Sequence, residues 1–124
     1  MDIALWVLQV LLALAFLGAA SNHAFRFDTA ARDRMAWMLA VGKGNMRIIG
    51  YLEILGAIAL ILPAITGILP WLTPVAAALF ALLMVFAIVF HARREGEVPN
   101  IVFNAILGIL ALAVAYGRLV LEPF

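Results

Sequence analysis

The sequence contains no cysteine, and charged residues make up only 12% of its 124 residues. The absence of cysteine excludes disulfides, thiol–disulfide exchange and thiolate-bound metal ions. In soluble domains about a quarter of the residues are charged, so the low fraction of charged residues here argues against a soluble protein. The sequence also lacks a phosphate-binding loop, a nucleophile elbow and a dense basic stripe. The familiar signatures of soluble nucleotide-binding enzymes, hydrolases and nucleic-acid-binding proteins are therefore absent, and no nucleic-acid partner is expected.

Hydrophobic residues, by contrast, make up 68% of the sequence and fall into four long runs. The runs cover residues 3–20, 47–62, 75–91 and 100–120. Each approaches the roughly 20 residues that a helix needs to cross a bilayer. Only Asp2 precedes the first run, where a signal peptide would have basic residues, so we expect this helix to be retained. The sequence predicts an all-α, polytopic membrane protein: a single four-transmembrane-helix bundle over residues 1–124.

The basic residues are concentrated in two of the three connections between these helices. The first connection and its edges hold Arg26, Arg32, Arg34, Lys43 and Arg47, and the third holds Arg93 and Arg94. The second connection has none, and the remaining basic residue, Arg118, is near the C-terminus. By the positive-inside rule, the first and third connections face the cytoplasm and both termini face outside. We therefore expect a multi-pass protein of a bacterial-type inner membrane.

The first connection contains a further helical pattern at residues 28–41. Asp28 or Thr29 is a suitable N-cap and Gly42 a suitable stop, while Met35, Met38 and Leu39 fall on one helix face. The pattern predicts a short interfacial helix on the cytoplasmic membrane surface, with an irregular loop as the alternative. Among the tryptophans, Trp37 is a candidate for the inner aromatic belt, and Trp6 and Trp71 are candidates for the outer belt.

A glutamate inside the second run is the most unusual residue of the sequence. A charged side chain at the bilayer centre costs about 2.5–3.5 kcal/mol on insertion scales, so such residues usually face the interior of a bundle. Glu53 has Gly50, Gly56 and Ala57 as its helical neighbours, and these small residues allow another helix to approach. We therefore expect Glu53 to point into the bundle.

The other helices bring polar residues to the same cytoplasmic end. The candidate ligand-binding residues are Asn22, His23, Tyr51, Glu53, His91, Asn100 and Asn104. Asn100 and Asn104 are spaced i, i+4 and share one helix face. At the outer end, only Gln9 interrupts the apolar runs. The inner polar layer has three interpretations: a set of residues that only fix helix packing, a ligand- or proton-handling site, and a metal site. The metal site is the weakest, because Glu53, His23 and His91 have no metal-binding spacing.

Two stretches of the sequence resemble the DoxX-like family of small four-helix membrane proteins. These are "IGYLEILGAIALILP", with its glutamate–glycine pattern, and "VFHARREGEVPN", which joins the third helix to the fourth. The resemblance covers nearly the whole chain. Its founding name comes from a subunit associated with a thiosulfate:quinone oxidoreductase, some bacterial relatives are linked to redox and thiol stress, and distant animal relatives act as assembly chaperones. In many relatives a lysine stands where this sequence has His23, so an ion pair becomes a histidine–glutamate pair.

The resemblance and the residues together favour a non-enzymatic membrane module that binds a hydrophobic molecule or a partner protein at the inner polar layer. Without cysteine, a redox role would need a bound quinone or a partner, and quinone is the one cofactor that we consider. The alternative is a membrane-embedded isomerase or redox accessory subunit that uses Glu53 and His91 as acid–base catalysts. A transporter ranks last, because the outer halves of the helices offer a single polar step. The small residues of the third and fourth helices are the candidate contacts for a homo-oligomer or a protein partner.

Overall fold

The structure is a computed structural model that describes residues 2–33, 35–94 and 96–124. Four long helices dominate it. Helix α1 spans Asp2–Ala20 and continues as a π-helical turn, Ser21–Phe25; α4 spans Lys43–Thr66; α5 spans Leu72–Ala92; and α6 spans Val98–Tyr116, followed by a second π-helical turn, Gly117–Leu121. All four are long and apolar enough to cross a membrane. The predicted all-α membrane bundle is confirmed, and the described residues contain no β-strand.

The four long helices form a ring. Helix α1 packs against α4 and α6, and α5 packs against α4 and α6. The centre holds the stacked rings of Phe16 and Phe80, whose centroids are 3.8 Å apart, together with buried Leu12 and Leu60. The outer surface is lined by exposed leucine, isoleucine, valine and phenylalanine side chains. An apolar exterior around a packed interior is the arrangement expected of a bundle surrounded by lipid.

Helix α4 is longer than the sequence predicted, because it passes through Pro63 instead of ending there. Proline has no N–H to give to the carbonyl of Ala59, four residues earlier. The hydroxyl of Thr73, on α5, donates to this carbonyl over 2.9 Å and satisfies it. The helix ends three residues later, where Gly67 adopts a left-handed conformation with φ 72°. In a membrane, a proline is tolerated within a helix when a neighbouring side chain satisfies the freed carbonyl.

The predicted helix at 28–41 is present only in two short parts. Helix α2 spans Phe27–Asp33 and α3 spans Met38–Val41; the predicted helix also includes Arg34, which lies outside the described residues. Met38 is completely buried and packs with Phe27 and Met46, whereas Leu39 is 65% exposed. The predicted common face of these residues is therefore wrong. The connecting segment is broken because it bends to cover the inner end of the bundle, which a continuous surface helix would leave open.

The expectation that Gln9 stands alone at the outer end is also wrong. The Nε of Arg118 donates to the Gln9 side-chain oxygen over 2.8 Å, and the Gln9 amide donates to the carbonyl of Leu60, also over 2.8 Å. Arg118 also binds the carboxylate of Asp2, at 2.6 Å, and its guanidinium lies 4.2 Å from the ring centroid of Phe124. Gln9 and Arg118 are both buried. This outer polar cluster joins α1, α4 and the end of α6.

The two π-helical turns carry the buried polar residues that close each end of the bundle. His23 lies in the first turn and Arg118 in the second. A π-helical turn holds one more residue than an α-helical turn, so it changes which side chains face inward. The first turn also needs room on α4. A Cβ atom placed on Gly50 would lie 2.8 Å from the Cβ of Ala24 and 2.9 Å from its backbone nitrogen.

We predict that Gly50→Ala lowers stability by about 1–3 kcal/mol, because the added methyl group meets backbone that cannot move aside. The measurement is thermal unfolding of the protein in lipid nanodiscs. Gly44→Ala is the matched control in the same helix, because its Cβ would meet nothing within 4 Å. Equal melting temperatures for the two variants would contradict the close approach of the first π-helical turn to α4.

We predict that Arg118→Met lowers the free energy of unfolding by about 1–3 kcal/mol, because it leaves the buried oxygen of Gln9 without a donor. The control is Arg93→Met, since Arg93 is exposed on the connection between α5 and α6. Unfolding of both variants is followed by circular dichroism during heating in nanodiscs. If Arg118→Met has the same melting temperature as Arg93→Met and the wild type, the outer polar cluster does not stabilise the ring of helices.

Candidate functional site

Glu53 and His23 form the centre of the inner polar layer. Glu53 is 3% exposed, which confirms its predicted inward orientation, and Gly50 and Ala57 lie on the same buried face of α4. The His23 Nδ1 lies 2.6 Å from a carboxylate oxygen of Glu53. This hydrogen bond uses Nδ1, so Nε2 is the ring nitrogen that it leaves available. Small residues on α4 and the π-helical turn after α1 together create this contact.

His91 repeats the same arrangement at the end of α5. Its Nδ1 lies 2.5 Å from the carboxylate of Glu97, which also accepts a hydrogen bond from the Nε of Arg94. His91 is 2% exposed. Glu97 precedes α6 and lies outside the membrane-spanning helices. Each of the two histidines is therefore oriented by a carboxylate through Nδ1, and each keeps Nε2 for another contact.

The pKa of Glu97 lies below its ordinary value of 4.5. Partial burial disfavours the charged carboxylate and on its own would raise this pKa. The hydrogen bonds from His91 and Arg94, with the positive charge of Arg94, outweigh this effect and lower the pKa. The carboxylate thus stays ionised in the connection between α5 and α6, where it holds His91 in place.

A cavity of about 270 Å³ lies between these two histidines. His23, Glu53 and His91 line it, and most of the remaining wall is apolar, with residues such as Phe16, Met84 and Phe103. Known ligand pockets begin at about 300 Å³ and combine apolar walls with a few polar groups, so this cavity is near the lower end of their range. It can hold a compact group of a few polar atoms and a ring.

Trp37, from the connection between α2 and α3, lies between the two histidines. Its ring meets the His23 ring edge-on at a centroid distance of 5.7 Å and the His91 ring at 4.9 Å. Its indole nitrogen is buried and has no hydrogen-bond partner among the described residues. Buried donors are normally paired, so this orphaned indole N–H, in a residue that lines the cavity, is an exception.

Asn100 and Asn104 provide further hydrogen-bonding groups on α6. Both line the cavity and both are partly buried. Within the described ranges, neither amide side chain forms a hydrogen bond with the protein. The cavity therefore offers two kinds of group: the available ring nitrogens of two oriented histidines and the unpaired donors and acceptors of Trp37 and the two asparagines.

The structure brings together five of the seven residues that the sequence proposed for ligand binding. His23, Glu53, His91, Asn100 and Asn104 all line the cavity. Asn22 is not among its lining residues, and its amide donates to the carbonyl of Gly18. Tyr51 is 47% exposed on the outer surface and its ring lies 5.9 Å from that of Phe25. The i, i+2 spacing between Tyr51 and Glu53 places them on different helix faces, so Tyr51 is excluded from the cavity by the same geometry that buries Glu53.

Sequence analysis missed Trp37 and Glu97 as members of this site. Trp37 was assigned to the inner aromatic belt, because a tryptophan close to a membrane surface usually lies there. Glu97 follows His91 by six residues, and the turn that folds it back is not apparent from spacing. A signal did exist in the position of Glu97, which is the N-cap residue of α6 and stands two residues before Pro99. Among the described residues, no three His, Asp or Glu side chains lie close enough to hold a metal ion.

Comparison with known proteins gives a match between most of this sequence and the model of a protein family. The sequence model of the DoxX-like family matches residues 7–114, which include both histidines, Glu53, Trp37 and both cavity asparagines. No curated protein and no solved structure matches the chain.

We predict that Glu97→Gln destabilises the protein mainly near neutral pH. Because the folded pKa of Glu97 lies below its ordinary value, its contribution is present above the unfolded pKa and is lost as the pH falls through the folded pKa. The difference in melting temperature between wild type and Glu97→Gln should therefore shrink below pH 4.5. Asp28→Asn is the control, because Asp28 forms an exposed pair with Lys43 that is worth little at any pH. A difference that grows on acidification would contradict this role of Glu97.

Proposed function

Because the chain belongs to the DoxX-like family and is a multi-pass membrane protein, we propose that it binds a lipid-soluble molecule whose polar head occupies the cavity at the inner end of the bundle. The head forms hydrogen bonds with the available nitrogens of His23 and His91 and with Trp37, Asn100 and Asn104. The rest of the ligand lies among apolar side chains. In this role the protein is a binding module of the membrane.

The unpaired donors of the cavity carry this proposal. If the inner layer only fixed helix packing, its polar groups would pair with one another, as Gln9 does with Arg118 and Leu60 at the outer end, where one nitrogen of Arg118, Nη2, has no partner among the described residues. Instead, the buried indole nitrogen of Trp37 has no partner among the described residues, and neither cavity asparagine is paired within them. In a low-dielectric interior an unpaired polar group is costly, so these groups are better explained by a ligand that pairs with them.

The chemistry of the cavity favours a planar head with oxygen acceptors and hydroxyl donors. Carbonyl oxygens can accept hydrogen bonds from Trp37 and the asparagine amides, while hydroxyl groups can donate to the available histidine nitrogens. A quinone and its reduced form provide these two patterns on one ring. A quinone also suits a chain without cysteine, because any electron transfer would then involve the ligand and a partner protein.

The distribution of basic residues supports an inner-membrane protein with the cavity on the cytoplasmic side. Arg26, Arg32, Lys43 and Arg47 lie at the same end of the bundle as His23, and Arg93 and Arg94 follow His91. By the positive-inside rule this end faces the cytoplasm and both termini face outside. The ligand head would then lie near the inner leaflet.

A second candidate function is acid–base catalysis on a ligand held in the same cavity. It is favoured by the two histidine–carboxylate pairs, His23–Glu53 and His91–Glu97, which orient both rings towards one space. A histidine held in this way can take a proton through Nε2 from a bound molecule. An isomerase or a redox accessory subunit would use this arrangement. Turnover of a bound ligand would separate this function from simple binding.

A membrane protein partner or a second copy of the chain is also part of the proposal. Helices α5 and α6 form an outward-facing apolar groove that includes Gly108 and Ala105. Small residues allow close helix contact in lipid, where the hydrophobic effect does not drive association.

We predict that Asn104→Leu abolishes binding of the ligand without loss of stability. Asn104 has no hydrogen bond within the described protein, so leucine removes a contact to the ligand and none to the fold. Native mass spectrometry with lipid analysis on the protein released from native membranes should find a small molecule on the wild type and none on Asn104→Leu. Glu53→Gln should also weaken binding, because it disturbs the orientation of His23.

The matched control is Tyr51→Phe, which changes an exposed hydrogen-bonding group two residues from Glu53 and outside the cavity. This variant should keep the ligand. If the wild type carries no small molecule, and Asn104→Leu melts at a clearly lower temperature, the inner polar layer serves the fold alone and the proposed function is wrong.

A further inference from the structure

A second cavity adjoins the first on the lipid-facing side of the bundle. It is a groove of about 440 Å³ between α4 and α5, and Glu53 is its only charged lining residue. Ile49, Glu53 and Leu83 line both the groove and the inner cavity. The groove and the inner cavity therefore border the same three side chains, at the depth of the His23–Glu53 pair.

Small residues on α4 and α5 create the groove. A Cβ atom on Gly56 would lie 2.4 Å from the Phe80 ring, so this glycine lets the ring lie directly against α4. Ala59 and Ala76 continue the groove towards the outer end. On α4 its lining runs from Ile49 to Ala59, which is about 15 Å along a helix that rises about 1.5 Å per residue. The groove is thus long enough for a hydrocarbon chain, and Glu53 lies within it one helical turn from Ile49.

The groove between α5 and α6 is a useful comparison, because it has nearly the same volume, about 450 Å³. Its lining residues are all apolar, and it shares only Met84 with the inner cavity. Any surface groove in a membrane holds lipid chains. Of these two grooves, the one between α4 and α5 has a hydrogen-bonding side chain, Glu53, in its lining, so a chain that lies there can have its polar head beside that group.

The inner cavity is covered on the side of the connecting segment. Met35, Trp37 and Val41 form part of its wall, and Met38 is buried beneath them against the end of the bundle. The route through lipid needs no displacement of this segment. A route between α4 and α5 would pass Ile49 and Leu83, which line both the groove and the inner cavity.

We propose that the ligand of the inner cavity is a single-chain amphiphile that enters sideways from the bilayer, with its tail in the groove between α4 and α5 and its head beside His23 and Glu53. This inference rests on the proposed binding function and adds the class of ligand: a compact polar head on a chain of about 15 Å or longer.

The test compares one head with and without a tail. The probes are dimethoxymethylbenzoquinone and its decyl homologue, each added to wild-type protein in phosphatidylcholine nanodiscs, with concentrations expressed as mole fraction in the lipid. Binding is read by native mass spectrometry. The decyl homologue should bind about tenfold more tightly than the tail-less head, a difference of about 1.4 kcal/mol.

Two variants test where the tail lies. Ala59→Phe fills the groove between α4 and α5 away from the inner cavity, and should remove the tenfold gain while leaving binding of the tail-less probe unchanged. Ala105→Phe fills the groove between α5 and α6 and should keep the gain. Leu79→Trp blocks the first groove at a position that is 60% exposed, and replaces Ala59→Phe if that variant does not fold.

The outcomes separate this inference from the proposed function. If the tail-less probe binds but the tail adds nothing, or if Ala59→Phe and Leu79→Trp keep the gain, the groove is not the tail site and the cavity still is a head site. If Ala105→Phe loses the tenfold gain in affinity to the same extent as Ala59→Phe, the inference is also overturned. If neither probe binds the wild type, both the proposed quinone-type site and its tail groove are wrong.

Discussion

Lipid provides no hydrogen bonds, so each polar group inside this bundle must be satisfied by the protein or by a molecule that the protein binds. The two ends of the bundle meet this constraint in different ways. At the outer end, Gln9 connects the guanidinium of Arg118 to the carbonyl of Leu60, and Thr73 satisfies the carbonyl that Pro63 leaves free. At the inner end the carboxylates are paired with histidines, but the indole of Trp37 and the amides of Asn100 and Asn104 have no partner among the described residues. Among the described residues, the outer end thus leaves one buried nitrogen of Arg118, Nη2, without a partner, and the inner end leaves the indole nitrogen and two partly buried amides.

Both ends depend on departures from regular α-helix. A regular continuation of α1 would carry His23 around the helix by a different angle from the one that the π-helical turn produces, and Gly50 provides the space that this wider turn needs. The second π-helical turn brings Arg118 inward. In this turn the side chain of Leu5 occupies the space that a Cβ atom on Gly117 would need. Local geometry and small residues thus decide which polar groups can meet, and this in turn determines the chemistry of each end.

The sequence predicted the helices and the inward orientation of Glu53. Both follow from the free-energy cost of placing a polar group in lipid, and this cost can be assigned to each residue without knowing its neighbours in space. The long-range pairs were harder to predict. Arg118 and Gln9 are 109 positions apart, and nothing in their local sequence indicates that one is the partner of the other. Trp37 and Glu97 were missed for a related reason, since Trp37 reaches the cavity and Glu97 reaches His91 from connections whose paths depend on the assembled helices. Tyr51 was misplaced because depth in the membrane was considered without the angular position around α4.

The contacts of Gln9 have a consequence for the order in which the bundle is assembled during synthesis. One partner of this amide is in the second long helix, and the other lies at the end of the fourth. When α1 and α4 are together, the Gln9 amide has the carbonyl of Leu60 as its acceptor, and its oxygen gains a donor only when Arg118 arrives. The outer polar cluster is therefore complete only once the turn after α6 has joined the other helices. The amide thereby keeps an attachment point open on the early helices, and it favours pairing with the chain's own final segment over pairing with an unrelated helix nearby.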